Sequence, residues 1–541
     1  MPRDARRDPP SGLLEADLCI VGAGAAGITL ARALAGSPWR VLLLEAGGFE
    51  FDEADHALLA GELGGVPTFP LESSRLRLFG GTTNHWSGTC WPLDPIDFEA
   101  REGLPRSGWP FRRADLDPYY ARAHEVCGLG PYDYAPGHWA EATGQPLLPF
   151  DASRVPTRIQ QIQAARFGFA YREELEKAPN VEIVVHADVL ELLHDGRRVQ
   201  GLRASPGAGG SPFRVEARHV VLAAGGLENA RILLLSGGPG SPGLGNAHDL
   251  VGRHFMDHLI MPVAVLLPTD PELSFGLYHR QSVGDIQVNG CLALAEEVVR
   301  SEGLLNFAAS LRPFRGTPDE REAMLAAESE GVVAAKELAR SLGKGRMPDQ
   351  LARQLLDVLG DLDGLARAAW QEARGRRPTL SPDVGQVYLI SHGEQSANPE
   401  SRVRLAASRD ALGRPRTRLD WRLSPLDQRT LRRGAEIVAR EAGRLGLGRV
   451  QVLVDKGDDF ATWSGRSPWL GPIGAYHHLG TTRMAADPAQ GVVDADCRVH
   501  ELDNLWIAGS SVFPTGGYVN PTLTLVALAL RLADRLREVL G

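Results

Sequence analysis

No Cys-x-x-Cys pair occurs in the sequence, and its five cysteines (Cys19, Cys90, Cys127, Cys291 and Cys497) are scattered and odd in number. That speaks against an attached c-type haem and against a clustered zinc or iron–sulfur centre, so no metal site is expected. It gives no basis for a disulfide framework either, and a reducing, cytoplasmic setting is the simpler reading. Long apolar runs are missing too. The longest, Leu523–Leu530, is too short to cross a bilayer, and no membrane span is expected. The paired Arg6-Arg7 is not followed by an apolar stretch, which removes the twin-arginine export reading. There is no excess of positive charge. A formal charge of −9 argues against non-specific nucleic-acid binding, and no nucleic-acid partner is expected. Internal repeats and low-complexity linkers are also absent, so in a chain of 541 residues the domains are expected to interleave rather than follow in series.

What is present begins with a nucleotide fingerprint. Ala16–Val21 is a short apolar run, Gly22-x-Gly24-x-x-Gly27 follows, and Ile28–Leu34 is helix-like. A second apolar run, Val41–Leu44, ends at Glu45. Strand, turn, helix and strand in that order lift the glycines above chance. They permit a tight turn and close backbone approach to a pyrophosphate on a helix N-terminus. Glu45 stands 21 residues after Gly24, where a carboxylate accepts hydrogen bonds from a ribose. At this point NAD and FAD are both open.

Further along, Val181–Leu192 reads as a strand and contains Val189. Val199–Arg203 and Phe213–Val215 read as a hairpin pair around Pro206–Gly210. Val220–Ala224 is a buried strand ending at Gly225-Gly226, a second turn able to approach a dinucleotide, with a helix at Leu227–Leu235. Thr317-Pro318-Asp319-Glu320 opens a helical insert at about 317–376, with a Thr cap, Pro at the first helical position and Glu three after the cap. The insert has no catalytic constellation and reads as a packing appendage or an oligomer contact. Gln386–Ile390, Val403–Leu405 and Thr417–Trp421 alternate as antiparallel strands, and Leu426–Leu445 is a long amphipathic helix.

Taken together, Gly22–Gly27 with Glu45, Phe79–Trp86, Val220–Gly226, His477–Met484 and Gly509–Thr522 resemble the glucose–methanol–choline (GMC) family of FAD-dependent alcohol oxidoreductases. The likeness covers nearly the whole chain. It is closest in motif style to pyranose oxidases and to bacterial sugar and glycoside dehydrogenases. The resemblance implies an α/β fold: a Rossmann-like FAD-binding domain of interleaved segments (14–130, 180–265 and 477–541) and a substrate domain (131–179 and 266–476) built on an antiparallel sheet with helices. FAD is the implied cofactor. The family's catalytic histidine opens a His-x-x-Gly-Thr stretch, which selects His477 over His478, and the second catalytic position falls 43 residues on, at Asn520. Gly22, Gly24, Gly27, Glu45, Gly81, Thr82, Asn84, His85, Val189, Gly225, Gly509, Asn520, Pro521 and Thr522 are the implied cofactor contacts. The loop departs from glucose-oxidase-like members by carrying Asn84-His85-Trp86. In pyranose oxidases a comparable His bonds covalently to the flavin, so at His85 a covalent bond and a non-covalent contact are both open.

The implied reaction removes a hydroxyl proton and a hydride from one carbon. A neutral imidazole at His477 suits the proton, because its ordinary pKa near 6.5 makes it a usable base at neutral pH. The amide of Asn520 holds the substrate oxygen or the flavin in register, and Pro521 fits the start of a helix over Thr522–Arg537. Glu394 and Gln395, just after a strand, are candidate binders of substrate hydroxyls, with a surface glutamate as the alternative. The expected substrate is a small-molecule alcohol: a sugar, glycoside or aminocyclitol, or alternatively a hydrophobic alcohol. A non-catalytic flavoprotein subunit is a further alternative. The electron acceptor (oxygen, quinone or a redox partner) and the oligomeric state stay open.

Overall fold

Val41–Leu44 consists of four consecutive apolar residues, and all four are buried. A strand apolar on both faces belongs inside a parallel sheet covered on both sides. In the computed structural model, which describes residues 2–10, 12–163, 165–238, 240–270, 273–314, 385–454 and 474–541, it lies there. It pairs in parallel with Leu14–Val21 on one side and Val181–Val185 on the other. Leu14–Val21 in turn runs parallel to Phe213–Leu222, and the C-terminal end of that strand takes Leu505–Ile507 as a parallel neighbour. The chain's two ends therefore meet in one sheet. Helix α1 (Ala25–Ala33) leaves the first strand through the glycine turn, and helix α2 (Gly225–Leu235) leaves Phe213–Leu222 in the same way.

Two sequence expectations change here. Val181–Leu192 is not one strand but two, Val181–Val185 and Asp188–His194. His186 between them sits at a φ of 52°, in the left-handed region, and breaks the extended path. The first strand extends the parallel half; the second joins an antiparallel meander with Val199–Ser205. Conversely, the expected short strands Phe213–Val215 and Val220–Ala224 are one ten-residue strand, Phe213–Leu222, whose two ends have different partners.

The second large sheet is antiparallel, in the order Gly448–Val452, Pro262–Pro268, Gln386–Gly393, Phe307–Phe314, Ile286–Ala293, Thr157–Ile162 and Thr89–Cys90. Helix α3 (Pro425–Arg444) packs against it. Its start is fixed by Pro425 at the first helical position and by Ser424, whose side chain accepts from the Asp427 backbone while Asp427 accepts from Ser424 N–H. Its buried residues, Thr430, Leu431, Gly434, Ala435, Val438 and Ala442 among them, recur at helical spacing. Gly434 is required there, since a Cβ would lie 2.7 Å from the Phe307 ring.

Strand pairing cuts across the segments expected for each domain. Thr89–Cys90 and most of Pro262–Pro268, within the stretches expected to bind nucleotide, belong to the antiparallel sheet. The hairpin Arg402–Arg409 and Pro415–Trp421, expected in the substrate domain, forms a separate three-stranded sheet with Glu62–Gly65. Helix α4 (Thr522–Leu540) closes the fold against α1 and the helix Arg113–Cys127. The helical insert expected at about 317–376 lies outside the described residues. Among the described residues no helix is long and apolar enough to cross a membrane.

Candidate active site

The site forms where a loop from each half of the molecule is stitched to the other. Met256 and Leu479 exchange backbone hydrogen bonds of 3.1 and 2.9 Å, and Leu259 bonds in the same manner to Gly393 of the antiparallel sheet. Asp257 and His258 are thereby fixed under the loop 474–479. Asp257 is 4% exposed, and its carboxylate accepts backbone N–H groups from His258 (2.7 Å), His477 (2.9 Å) and Ala475 (3.1 Å). Burial pushes its pKa up to about 7, and these backbone donors oppose the shift. Tyr476 adopts a φ of 60°, uncommon for a bulky residue, and its ring lies on Phe69 at 4.5 Å. That turn presents the His477 ring inward.

His477 Nδ1 lies 2.9 Å from His258 Nδ1, and its Nε2 lies 3.2 Å from Asn520 Nδ2. His258 Nε2 reaches the Gly516 carbonyl at 3.1 Å, and Trp91 Nε1 donates to Asn520 Oδ1 at 3.0 Å. His477, not His478, therefore faces Asn520. The ring of His478 turns toward Phe255, with centroids 5.7 Å apart, and its carbonyl accepts from Ser510 Oγ. His392 completes the cluster: it bonds Ser310 Oγ at 2.8 Å and meets the Trp91 ring edge-on at 5.6 Å. Asp257, His258 and His477 present ligand atoms within 4.8 Å of one another. Two imidazoles on one zinc ion sit about 3.3 Å apart if each bond is about 2.0 Å and the angle tetrahedral. The observed 2.9 Å matches a shared proton better.

Burial, followed by the neighbouring His258, His392 and His478, lowers the pKa of His477 well below the usual histidine range. The sign follows directly. The neutral, proton-accepting form persists as pH falls through 6.5 and is lost only below the depressed value. Stopped-flow flavin reduction is accordingly expected to show no His477 limb between pH 6 and 8. A limb near pH 6.5 that survived both Asp257→Asn and Asp427→Asn, which remove the buried carboxylates raised to about 7 and about 6, would show that His477 titrates as an ordinary histidine.

A second cluster of local features forms a nucleotide cradle. Gly24 is the N-cap of α1 with no side-chain cap, and the space around its absent Cβ is open. Gly27 admits no side chain: a Cβ would sit 1.9 Å from the Gly22 carbonyl. Glu45 is buried and shapes this loop, Oε2 accepting from Ala23 N–H (2.8 Å) and Oε1 from Gly47 N–H (2.9 Å). Each oxygen keeps a second lone pair for a ribose hydroxyl. Gly225, with a φ of 87° and no atom near its missing Cβ, opens the second turn beside the first. Asn229 ties that turn to the Gly509 loop, accepting from Ala224 N–H and donating to Ser511 Oγ. Gly81 packs against Gly24, bringing the loop with Thr82, Asn84 and exposed His85 to the same cradle. Among the described residues, the buried Asn84 Oδ1 has no partner. Uncapped helix starts, open glycine turns and an unpaired polar atom fit a dinucleotide flavin. Pro521 caps α4 and Thr522 begins it, so the positive end of a 19-residue helix lies beside Asn520.

Three sequence expectations fare differently. The Val189 carbonyl accepts from Arg414 at 2.9 Å. Glu394 is 1% exposed and grips Arg101 through both carboxylate oxygens while accepting from Asn306 N–H. Gln395 accepts from Asp257 N–H and Trp421 Nε1 and donates to the Arg422 carbonyl. Glu394 and Gln395 are thus committed to protein partners, and neither is retained as a substrate ligand. Asp257, His258, Trp91 and His392 escaped the sequence reading. Their partners stand as far as 429 residues away, and no spacing rule spans that distance.

Two family models match the chain. Residues 17–327 match the family model described as FAD dependent oxidoreductase, and residues 397–529 match that described as GMC oxidoreductase. The 6'''-hydroxyparomomycin C oxidase of Streptomyces lividus is 26% identical, covering 95% of this chain and 90% of its own. The fructose dehydrogenase large subunit of Gluconobacter japonicus is 23% identical over 96% of this chain and 97% of its own. Among solved structures, pyridoxine 4-oxidase from Mesorbium loti has the same fold, with a TM-score of 0.56, 20% identity, and coverage of 96% of this chain and 99% of that one.

Proposed function

The chain belongs to the GMC family of FAD-dependent oxidoreductases, enzymes of alcohol groups, and from that premise we propose that it oxidises a CH–OH group of a sugar, glycoside or aminocyclitol with His477 as general base. The observation that carries this reading is the 3.2 Å approach of His477 Nε2 to Asn520 Nδ2 at the head of α4. FAD, held by the glycine turns and Glu45, supplies the hydride acceptor when bound. His477 receives the hydroxyl proton, a task for which it must be neutral. Asn520, fixed by Trp91, keeps its amide N–H directed at the same point and steadies the substrate oxygen there. The positive end of α4 favours negative charge beside it.

The antiparallel sheet favours a polar substrate. The face that carries His392 toward Trp91 also carries Gln160 and Asn289, which pair directly, and Ser310, which stands two residues out of register with His392 and bonds it diagonally. Asn289 donates to Gln160 Oε1 at 3.1 Å, and the buried Gln160 Nε2 has no partner among the described residues. A hydroxyl or amine of a substrate satisfies such a donor or acceptor set; a hydrocarbon does not. The names of the two relatives, one an oxidase of an aminoglycoside and one a dehydrogenase of a sugar, point to the same class. Five buried, free cysteines support the cytoplasmic setting as part of this proposal.

Anaerobic mixing of the FAD-loaded protein with panels of sugars, glycosides, aminocyclitols and hydrophobic alcohols tests the proposal. Bleaching of the flavin by a member of the first three groups is the expected result. Bleaching by sterols or aromatic alcohols alone moves the assignment to a hydrophobic substrate. Retained yellow colour with every alcohol points instead to a non-catalytic flavoprotein subunit. Readmitting oxygen to the bleached protein then separates an oxidase, which recolours, from a dehydrogenase that needs a quinone or redox partner.

A further inference from the structure

We infer that His258 is a positioning residue that holds His477 in the tautomer with its proton on Nδ1 and its lone pair on Nε2. The inference rests on the reading of His477 as the base, because only that tautomer has an acceptor at the nitrogen facing Asn520.

Two chains of hydrogen bonds lead to this tautomer from opposite ends. The first starts at the Gly516 carbonyl, which can only accept. His258 Nε2, 3.1 Å away, must therefore carry a proton. His258 is 2% exposed, and burial lowers its pKa, so it is neutral and has a single ring proton. Its Nδ1 is then a bare lone pair. The 2.9 Å contact between the two Nδ1 atoms needs one hydrogen, and His477 has to provide it. The second chain starts at Trp91, whose indole N–H can only donate. Its 3.0 Å bond requires Asn520 to turn Oδ1 toward it. The other end of the amide, Nδ2, then faces His477 Nε2 at 3.2 Å as a donor and calls for a lone pair there. Both chains demand the same imidazole.

The reverse arrangement is penalised twice. Placing the His258 proton on Nδ1 sets a nitrogen lone pair against the Gly516 carbonyl, both desolvated. Placing the His477 proton on Nε2 sets N–H against the Asn520 N–H. Each leaves a buried polar atom unsatisfied, which costs its full desolvation. His258 also acts after proton transfer, since its lone pair accepts from the charged imidazolium. Asp257 supports both rings through their backbones, with His392, His478 and Glu394 the other titratable groups near the pair.

The test reads the tautomer directly. Holoenzyme labelled with 15N-histidine, with the His477 signals identified by their loss in His477→Gln, is expected to show a protonated Nδ1 and a bare Nε2. In His258→Leu no acceptor faces Nδ1. The Nδ1–H form should lose its dominance, and flavin reduction should fall by about 10-fold or more, toward the roughly 10⁴-fold loss seen when a serine-protease histidine is fixed in the wrong tautomer. His258→Asn can place Oδ1 where Nδ1 was, and is expected to restore the Nδ1–H form and recover most of the rate. A wild-type His477 protonated at Nε2 overturns the inference, and so does an unchanged tautomer in His258→Leu. Should the leucine variant fail to fold, the wild-type and asparagine spectra decide alone. Undiminished flavin reduction in His477→Ala would remove the base reading itself, even where the spectra bear out the His258 contact.

Discussion

Replacing His477 with alanine is expected to leave FAD bound and to slow flavin reduction by about 10²–10⁴-fold, the range of a lost general base. The reasoning separates binding from chemistry. On the reading proposed above, the nucleotide is held by Gly22–Gly27, Glu45 and the Gly225 turn, and the hydrogen bonds of Glu45 run to Ala23 and Gly47 rather than to the His477 ring. Among the described residues the ring itself bonds only His258 and Asn520, so its loss is expected to remove the proposed proton acceptor and little else. The backbone N–H of residue 477 still reaches Asp257, which keeps the loop in place. His478→Ala is the matched control. The bond of residue 478 to Ser510 uses the carbonyl, which alanine retains, and the ring faces Phe255 rather than Asn520. A loss at His478 equal to or larger than that at His477 would show that the wrong imidazole has been chosen. Absorbance of bound flavin, measured beside the reduction rate, keeps a cofactor-binding defect from passing as a chemical one.

Glu394→Ala should unfold at a markedly lower denaturant concentration than wild type, with a loss of about 3–5 kcal/mol in stability, as for a buried ion pair deprived of one partner. Arg101 and Glu394 have side-chain exposures of 6% and 1%, and the carboxylate also accepts from Asn306 N–H. Alanine leaves a guanidinium in the interior whose Nε already has no partner among the described residues. The neighbourhood is acidic: Asp97, with its pKa raised well above the carboxylate range chiefly by burial and next by Glu394, bonds Asn306. Losing Glu394 removes the repulsion on Asp97, which offsets part of the cost and makes the lower end of the range the more demanding test. A substrate-binding role predicts something different, a raised KM at unchanged stability. Equilibrium denaturation and steady-state kinetics on one preparation decide between them; a stable variant with a raised KM restores Glu394 to the substrate site.

The parts of this molecule legible in the sequence are those whose cause is local. Gly27 was recognisable because a tight turn before a helix admits no side chain, and the structure gives the reason as a 1.9 Å clash. The start of α3 was legible at Ser424-Pro425 because a cap and a proline act within one turn. Strand identity was legible at Gln386–Gly393 and Pro415–Trp421, but strand partnership was not. Alternation says which face is buried, not which neighbour buries it, and so the Pro415–Trp421 hairpin found Glu62–Gly65 instead of the large sheet. His186 shows a similar limit: nothing in a run of apolar residues marks the one that turns left-handed.

By itself, the sequence pointed to the N-terminal strand–turn–helix as a dinucleotide site, and it singled out His477 and Asn520 through family resemblance. Only the tertiary structure decided what those two residues touch. Their partners, His258 for His477 and Trp91 for Asn520, come from segments 219 and 429 residues away, and the carboxylate beneath, Asp257, from 220 residues before His477. The same folding withdrew Glu394 and Gln395 from the substrate by giving their polar atoms other bonds. The physical reason is common to both outcomes. A buried donor or acceptor must be satisfied, and which group satisfies it depends on which distant segments the sheets bring together.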